Sequence, residues 1–158
     1  MKNKRLQKWA AVAELISAVA LVITIGFLAF QTMDNTNALQ AQTFQELIRD
    51  INDWRTLTLT NPELSAATER RALEGWDNLN SADQRQMWFR DQVIWGVYES
   101  AYFANERGVL GEDEWTRFEE VICRHYTSPN FLWDPPGLRS MTNVLTPKFV
   151  VYVVSTCE

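Results

Sequence analysis

One apolar stretch, from Trp9 to Gln31, constrains the fold of this chain more than any other feature. It reads WAAVAELISAVALVITIGFLAFQ, and Glu14 is its only charged residue. At 1.5 Å per residue a helix from Trp9 to Phe30 is roughly 33 Å long, about the thickness of the hydrocarbon core of a bilayer. A helix that is apolar on every side has no polar face to turn towards water. The stretch therefore predicts a membrane anchor over residues 9–31.

The charges on either side of the anchor predict its orientation. Residues 1–8 form a basic tail that contains no acid, and the first basic residue after the anchor is Arg49. The positive-inside rule places such a tail in the cytoplasm and the rest of the chain across the membrane. We therefore expect a protein of the bacterial inner (cytoplasmic) membrane, with a periplasmic or otherwise extracytoplasmic carboxy-terminal part.

A cleaved secretory signal is the alternative, because it also joins a basic segment to an apolar one. Two features favour a retained anchor. The apolar run is longer than the usual signal core of about 7–15 residues. It ends in Phe-Gln-Thr-Met-Asp, which lacks the small-x-small cleavage pattern. We expect the anchor to be uncleaved.

Small residues share one side of the anchor helix with its single carboxylate. Ala10, Ala13, Ser17 and Ala20 recur at a spacing that lets two helices approach closely, and Glu14 lies beside them. An ionisable group within a span is costly and often functional. These five residues are therefore candidate oligomer contacts. The other interpretation places Glu14 at the cytoplasmic interface, where its carboxylate reaches the lipid head groups.

The composition of the remaining chain argues against several classes of partner. The tail holds four of the 15 basic residues and the anchor one of the 20 acidic ones, so residues 32–158 carry 11 basic and 19 acidic side chains, a net charge of −8. This balance argues against a nucleic-acid partner, whose phosphates need clustered Lys and Arg. It argues equally against a surface that lies on anionic lipid. Ten of the 11 basic residues are arginines, and six of the seven tryptophans follow the anchor, which suits fixed ion pairs and aromatic contacts.

Two cysteines, Cys123 and Cys157, lie in the part of the chain that we expect to face an oxidising compartment. A disulfide between them is plausible there. It would close a loop of about 35 residues, for which chain entropy gives a stabilisation of roughly 3–4 kcal/mol. Two buried free thiols are the alternative.

The pattern after the anchor predicts helices. Apolar residues recur with a helical period over residues 33–59, and no Pro or Gly separates this segment from the anchor, so the two can form one long helix. Asn61-Pro62 is typical of a helix start and opens a segment over about 62–76. Its apolar members are Leu64, Ala67, Ala72, Leu73 and Trp76.

The next helices also have recognisable starts. The capping-box pattern Ser81–Gln84 opens a helix that is apolar on nearly every side, ends near Gly108 and is expected to be buried centrally. Three acids from Glu112 onward begin another helix. Ser128-Pro129 starts a short helical turn that runs to Trp133.

The end of the chain is ambiguous by composition. Residues 149–154, FVVYVV, have strand composition, whereas Thr146-Pro147 is a typical helix start. An isolated strand would leave its edges unpaired unless another chain supplied a partner. We predict a helix, with strand addition to another chain as the alternative. The predicted fold is all-α: a basic tail (1–8), an anchor (9–31), a helical stalk (32–60) and a body of four to six helices (61–158).

Residues that carry catalysis or bind cofactors are scarce. His125 is the only histidine, so a zinc site lacks ligands, and the sequence offers no convincing base beside a Ser or Cys for a nucleophilic triad. The glycines stand in no phosphate-binding order. Asp91 and Glu99 are the most suggestive carboxylates, because their helix is otherwise apolar. Buried carboxylates more often pair with arginine, here Arg90, Arg117 or Arg124. We expect no cofactor, no metal and no catalytic residue.

The anchor sequence WAAVAELISAVALVITIGFLAFQ, followed by a polar helical linker, resembles a loose group of small uncharacterised bacterial membrane proteins. They share a short basic tail, one span that opens with a Glu and closes with a Gln, and a helical part rich in Trp and Arg. The resemblance covers the pattern of the first 60 residues. The rest of the chain resembles the group only in its helical, Trp- and Arg-rich character. It implies a single-pass bacterial membrane protein and no particular activity.

Together these features favour a non-enzymatic structural or interaction protein. It would sit in the lipid bilayer and assemble with copies of itself through its anchor and its aromatic-rich body. An accessory subunit of a larger membrane complex is the first alternative. A ligand-binding or enzymatic module that uses Asp91 and Glu99 is the second.

Overall fold

The structure, a computed structural model, describes residues 2–128, 133, 137 and 139–158. Every regular element within these residues is helical, so the predicted all-α class is confirmed. The α-helices are α1 (Lys2–Thr60), α2 (Pro62–Glu74), α3 (Ser81–Glu106), α4 (Glu112–Tyr126) and α5 (Pro147–Cys157), and short 3₁₀ turns lie at Trp76–Asn78 and Met141–Asn143. The helical turn predicted after Ser128 lies, except for Trp133, outside the described residues.

The chain divides into two compact units, Met1–Leu39 and Gln40–Glu158. Helix α1 is continuous from Lys2 to Thr60, so the anchor and the following helix do form one element. Leu47 is buried in the core of the second unit, and Phe44 and Trp54 pack against that core. The second unit therefore takes in the later part of the stalk predicted over residues 32–60.

Helix α2 begins as its sequence predicts. The Asn61 side-chain oxygen accepts hydrogen bonds from the backbone N–H groups of Glu63 and Leu64, at 3.0 and 3.1 Å. These donors have no partner within the helix, so the cap replaces their lost hydration. Pro62 occupies the first turn, where its missing N–H costs nothing.

Helix α3 begins one residue earlier than its capping-box pattern predicts. The cap is Asn80, whose side-chain oxygen accepts from the N–H groups of Ala82 and Asp83, each at 2.9 Å. Its side-chain amide also donates to the Asp83 carboxylate at 2.9 Å. The prediction of Ser81 as the cap is therefore wrong, because Asn is an equally good cap and here satisfies both donors.

Helix α3 is the centre of the second unit, as its apolar circumference predicts. Tyr98 and Ile94 of this helix are 1% exposed, and its Trp95 ring meets Tyr98 edge-on with centroids 5.5 Å apart. The core around them is built from α2, α4 and α5 as well. Its largest side chains with less than 2% exposure are Trp95, Tyr98, Phe149, Met87, Ile94 and Ile122.

The carboxy-terminal segment is a helix, which confirms the prediction for residues 149–154. Phe149 and Val153, four residues apart, bury one face of α5 in the core. The chain is also covalently closed there, because Cys123 of α4 and Cys157 of α5 form a disulfide. This bond ties the last helix to the wall of the cleft described below.

Candidate functional site

The apolar part of α1 is exposed along its whole described length. Among the described residues this is the one helix that is long and apolar enough to cross a membrane, and none of its most apolar window is buried within the chain. Leu15 is 67% exposed and Val22 is 69% exposed. A helix of similar composition in the core of a soluble domain would instead be covered by its neighbours. The hydroxyl of Thr24 donates to the Ala20 carbonyl at 2.8 Å, which satisfies it without water.

The five residues predicted as oligomer contacts lie on this exposed helix. Ala10, Ala13, Glu14, Ser17 and Ala20 all have exposed side chains. Because α1 is unbroken here, their spacing of three and four residues keeps them on one side of the helix. We call these five residues the anchor face.

A group of buried charges lies between α2 and α3. The Asp91 carboxylate accepts from Arg71 at 2.7 Å and, through its other oxygen, from Arg90 at 2.7 and 3.0 Å. The side chains of Arg71 and Asp91 are 3% and 2% exposed. We call these three residues the buried ion-pair cluster. Trp54 joins α1 to it by donating its indole N–H to the Arg90 carbonyl at 2.9 Å.

The cluster explains what the carboxylate of Asp91 does in the fold. Burial lowers the pKa of Arg71, and the adjacent negative charge of Asp91 opposes part of that shift. Of the three arginines considered as partners from the sequence, Arg90 pairs with Asp91, whereas Arg117 and Arg124 line a cleft elsewhere. The second partner, Arg71, was not anticipated. Its signal was present: it follows Leu64 and Ala67 on the buried side of α2.

Glu99, the second candidate carboxylate, has a different neighbourhood. It accepts a hydrogen bond from the backbone N–H of Thr146, which precedes α5, at 2.6 Å. Eight residues of helix separate it from Asp91, a rise of about 12 Å. The two carboxylates thus contact different elements, and each has a structural partner.

A cleft of about 340 Å³ opens between α1, α3 and α4. Its apolar lining comes from all three helices: Phe44, Ile48, Ile51, Ile94, Phe118 and Val121. Arg55, Arg117 and Arg124 also line it, and all three have exposed side chains. Among the residues of the described chain that line this cleft, none is an Asp or a Glu. We call it the arginine cleft.

A tyrosine–histidine pair forms the polar part of the arginine cleft. The Tyr98 hydroxyl and His125 Nδ1 are 2.7 Å apart. Burial, together with the positive charges of Arg90, Arg124 and Arg55, lowers the pKa of His125 to about 4. Burial also raises the pKa of Tyr98. At neutral pH both side chains are therefore uncharged, and the charge in the cleft comes from the arginines.

The arginine cleft was not predicted from the sequence, although part of its pattern is visible there. Arg117, Val121 and Arg124 follow one another at helical spacing on α4, which places two cations and an apolar side chain on one face. Nothing in the sequence indicates that Arg55, 62 residues before Arg117, joins them. That convergence depends on how α1 packs beside α4.

Comparison with known proteins adds no relative. Neither protein-family models, nor curated proteins, nor solved structures give a match to this chain. Within the described residues, no group of three or more His, Cys, Asp or Glu side chains is arranged to hold a metal ion. Any functional assignment therefore depends on the anchor face, the buried ion-pair cluster and the arginine cleft themselves.

Proposed function

We propose that this chain is a non-enzymatic, single-pass membrane protein that assembles with copies of itself. The observation that carries the proposal is the exposed apolar part of α1, in which Leu15 is 67% exposed, Val22 is 69% exposed and the most apolar window is 0% buried. Transfer of such side chains out of water is favourable by about 25 cal/mol per Å² of apolar surface. A bilayer provides that environment along the full length of the anchor.

The basic tail supports an orientation. Residues 1–8 carry four cations and the next is Arg49, so the amino terminus belongs in the cytoplasm by the positive-inside rule. The disulfide between Cys123 and Cys157 agrees with an oxidising compartment for the second unit, because such bonds persist outside the reducing cytoplasm. In a bacterium these two arguments favour the inner membrane with a periplasmic second unit.

The anchor face supports self-association. In lipid the hydrophobic effect no longer drives helices together, so association depends on close packing and on polar contacts. Ala10, Ala13, Ser17 and Ala20 allow the close approach, and the carboxylate of Glu14 gains from a polar neighbour on a second helix because hydrocarbon does not solvate it.

The test is the native mass of the protein extracted gently from its own membrane, with all co-purifying chains identified. We expect a discrete multiple of 18.3 kDa without another chain. The double substitution Ala13→Leu and Ser17→Leu adds bulk to the anchor face and is expected to reduce the assembly to monomers. The matched control, Val19→Leu and Val22→Leu, adds bulk on the opposite side of the helix and should leave the mass unchanged.

Three results would count against this proposal. A wild-type monomer would remove self-assembly altogether. Equal loss of assembly in both double variants would show that the anchor face is not the side of the helix through which the copies associate. Co-purification with a larger chain in fixed ratio would favour the accessory-subunit alternative. Glu14→Gln then separates the two interpretations of Glu14. The substitution should reduce assembly if the carboxylate lies in the helix contact, and should leave assembly unchanged if the carboxylate reaches the lipid head groups.

A further inference from the structure

The three arginines of the arginine cleft have no counter-charge in the described part of the chain. No carboxylate there lies within 4.0 Å of the side-chain nitrogens of Arg55, Arg117 or Arg124, although residues 32–158 carry 19 acids against 11 basic residues. Among the described residues, the Arg55 guanidinium donates a long hydrogen bond of 3.5 Å to Asn52 Oδ1. In so acidic a unit, a cleft lined by three cations and no acid concentrates positive potential at one place.

The other walls of the cleft are apolar. Apolar side chains of all three helices line it: Ile48 and Ile51 of α1, Ile94 of α3, and Phe118 and Val121 of α4. Such a lining does not bind a small hydrated ion such as phosphate or acetate better than water does. It favours a ligand that has an apolar part as well as a charge.

The size of the cleft limits that ligand. A volume of about 340 Å³ is at the lower end of the range of about 300–1,000 Å³ for small-molecule sites. At about 30 Å³ for a water-sized group, the volume holds roughly 11 such groups. A protein helix would need a long open groove instead.

We propose that the arginine cleft binds a small amphipathic carboxylate. Its apolar chain lies between α1 and α4, and its carboxylate meets the guanidinium groups of Arg117 and Arg124, while Arg55 of α1 adds a third positive charge to the lining. Arginine suits this task because its planar fork donates two parallel hydrogen bonds to one carboxylate. The Tyr98–His125 pair is uncharged and adds a polar contact without repelling the anion.

The probe is 4-phenylbutanoate, which has twelve non-hydrogen atoms and dissolves well in water. The full chain is held in phosphatidylcholine nanodiscs, and binding is measured by calorimetry with empty nanodiscs as the blank. Two analogues keep the chain and change the head: neutral 4-phenylbutanamide and cationic 4-phenylbutylamine. We expect saturable binding of the carboxylate, at least about tenfold weaker binding of the amide, and none of the amine.

The variants test which arginines are used. Arg117→Gln with Arg124→Gln should weaken binding of the carboxylate by about tenfold or more while binding of the amide stays the same. The matched control is Arg85→Gln, an exposed arginine of α3 that does not line the cleft, and it should bind like the wild type. Val121→Asp supplies a carboxylate beside the arginines and should abolish binding, which gives an independent result if the double variant fails to fold.

Several outcomes would overturn the assignment. Equal affinity for the carboxylate and the amide would show that the negative charge of the ligand does not contribute to binding. Equal weakening by Arg85→Gln would show only a general effect of net charge. No saturable binding of 4-phenylbutanoate would remove the ligand class. A self-association of the second unit that the cleft variants abolish would assign the cleft to a second copy of this chain instead.

Discussion

The second unit holds two groups of arginines that differ in what surrounds their charge. In the buried ion-pair cluster a carboxylate lies between two guanidinium groups, and all three side chains are at most 5% exposed. In the arginine cleft three guanidinium groups face solvent, without a carboxylate in ion-pair distance among the described residues. The groups are close in the fold, since Trp54 contacts one and lines the other.

The two groups of arginines differ in how much they contribute to the stability of the fold. A buried cation loses its hydration at a cost of several kcal/mol, and the carboxylate of Asp91 offsets part of that cost for Arg71 and Arg90. An arginine in water pays no such cost, and folding gives no reason to gather three of them around an apolar cleft. The paired arginines are therefore explained by stability, whereas the three cleft arginines, which have no ion pair with any described carboxylate, are the ones for which we propose a ligand.

The largest predicted effect comes from the buried ion-pair cluster. Asp91→Asn keeps the shape of the side chain but removes the negative charge that accepts hydrogen bonds from both Arg71 and Arg90. We expect the free energy of unfolding to fall by about 3–5 kcal/mol, because a buried ion pair loses its negative partner. Chemical unfolding in detergent solution, followed by tryptophan fluorescence, measures this change.

Asp50→Asn is the matched control for that experiment. Asp50 lies 3.7 Å from Arg49 in an exposed pair, and such pairs contribute about 0–1 kcal/mol. The same chemical change should therefore have little effect there. If the two variants lost similar stability, the contrast between buried and exposed arginines would not hold.

The disulfide gives the second largest effect and concerns the wall of the arginine cleft. Helix α4 carries Arg117 and Arg124, and the Cys123–Cys157 bond fastens it to α5. Replacing both cysteines by serine should lower the free energy of unfolding by roughly 3–4 kcal/mol, the chain-entropy value for a loop of this length. The comparison is made with oxidised wild type under identical denaturant conditions.

A reductant supplies the control for the disulfide. Wild type treated with dithiothreitol should lose as much stability as the double serine variant, and the variant itself should not respond. Stability that stays within about 0.5 kcal/mol after either change would mean that the bond adds nothing to how α4 is held.

Local patterns were sufficient to predict most of the helices. Asn61-Pro62 and Thr146-Pro147 each stand at a helix start, because the side-chain cap of Asn61 and the fixed φ of the two prolines act within one turn. Central burial of α3 followed from its apolar circumference. The cap of α3 was misplaced by one residue, since Asn80 and Ser81 are both good caps and only the fold chooses between them.

The contents of the sites were harder to predict because they depend on contacts distant in sequence. The apolar pattern of α2 omits Arg71, which continues the buried side of the helix, and includes Leu73, which is 78% exposed. A pattern based on residue type alone fails at both positions, because the side of the helix on which a residue lies decides whether its side chain is buried. The arginine cleft needs α1 and α4 to lie side by side, and no local pattern encodes that packing.

His125 gives the smallest predicted effect, and its sign follows from its pKa. The ordinary pKa of 6.5 falls to about 4 in the folded chain, first through burial and then through Arg90, Arg124 and Arg55. Between these two values the unfolded chain binds a proton that the folded chain does not, so stability declines as the pH falls from about 6.5 towards 4. Above pH 6.5 this residue contributes no pH dependence.

His125→Asn isolates this contribution, because asparagine keeps a hydrogen-bond acceptor near the Tyr98 hydroxyl but does not titrate. Unfolding of both proteins is measured at pH 7.5 and at pH 5, at equal ionic strength. Carboxylates shared by the two proteins cancel in the difference, so wild type should lose more stability than the variant on acidification. Parallel losses would mean that the folded chain accepts a proton at His125 as readily as the unfolded one does. The arginines beside it would then not raise the local potential, and the electrostatic argument for an anion in the cleft would weaken with it.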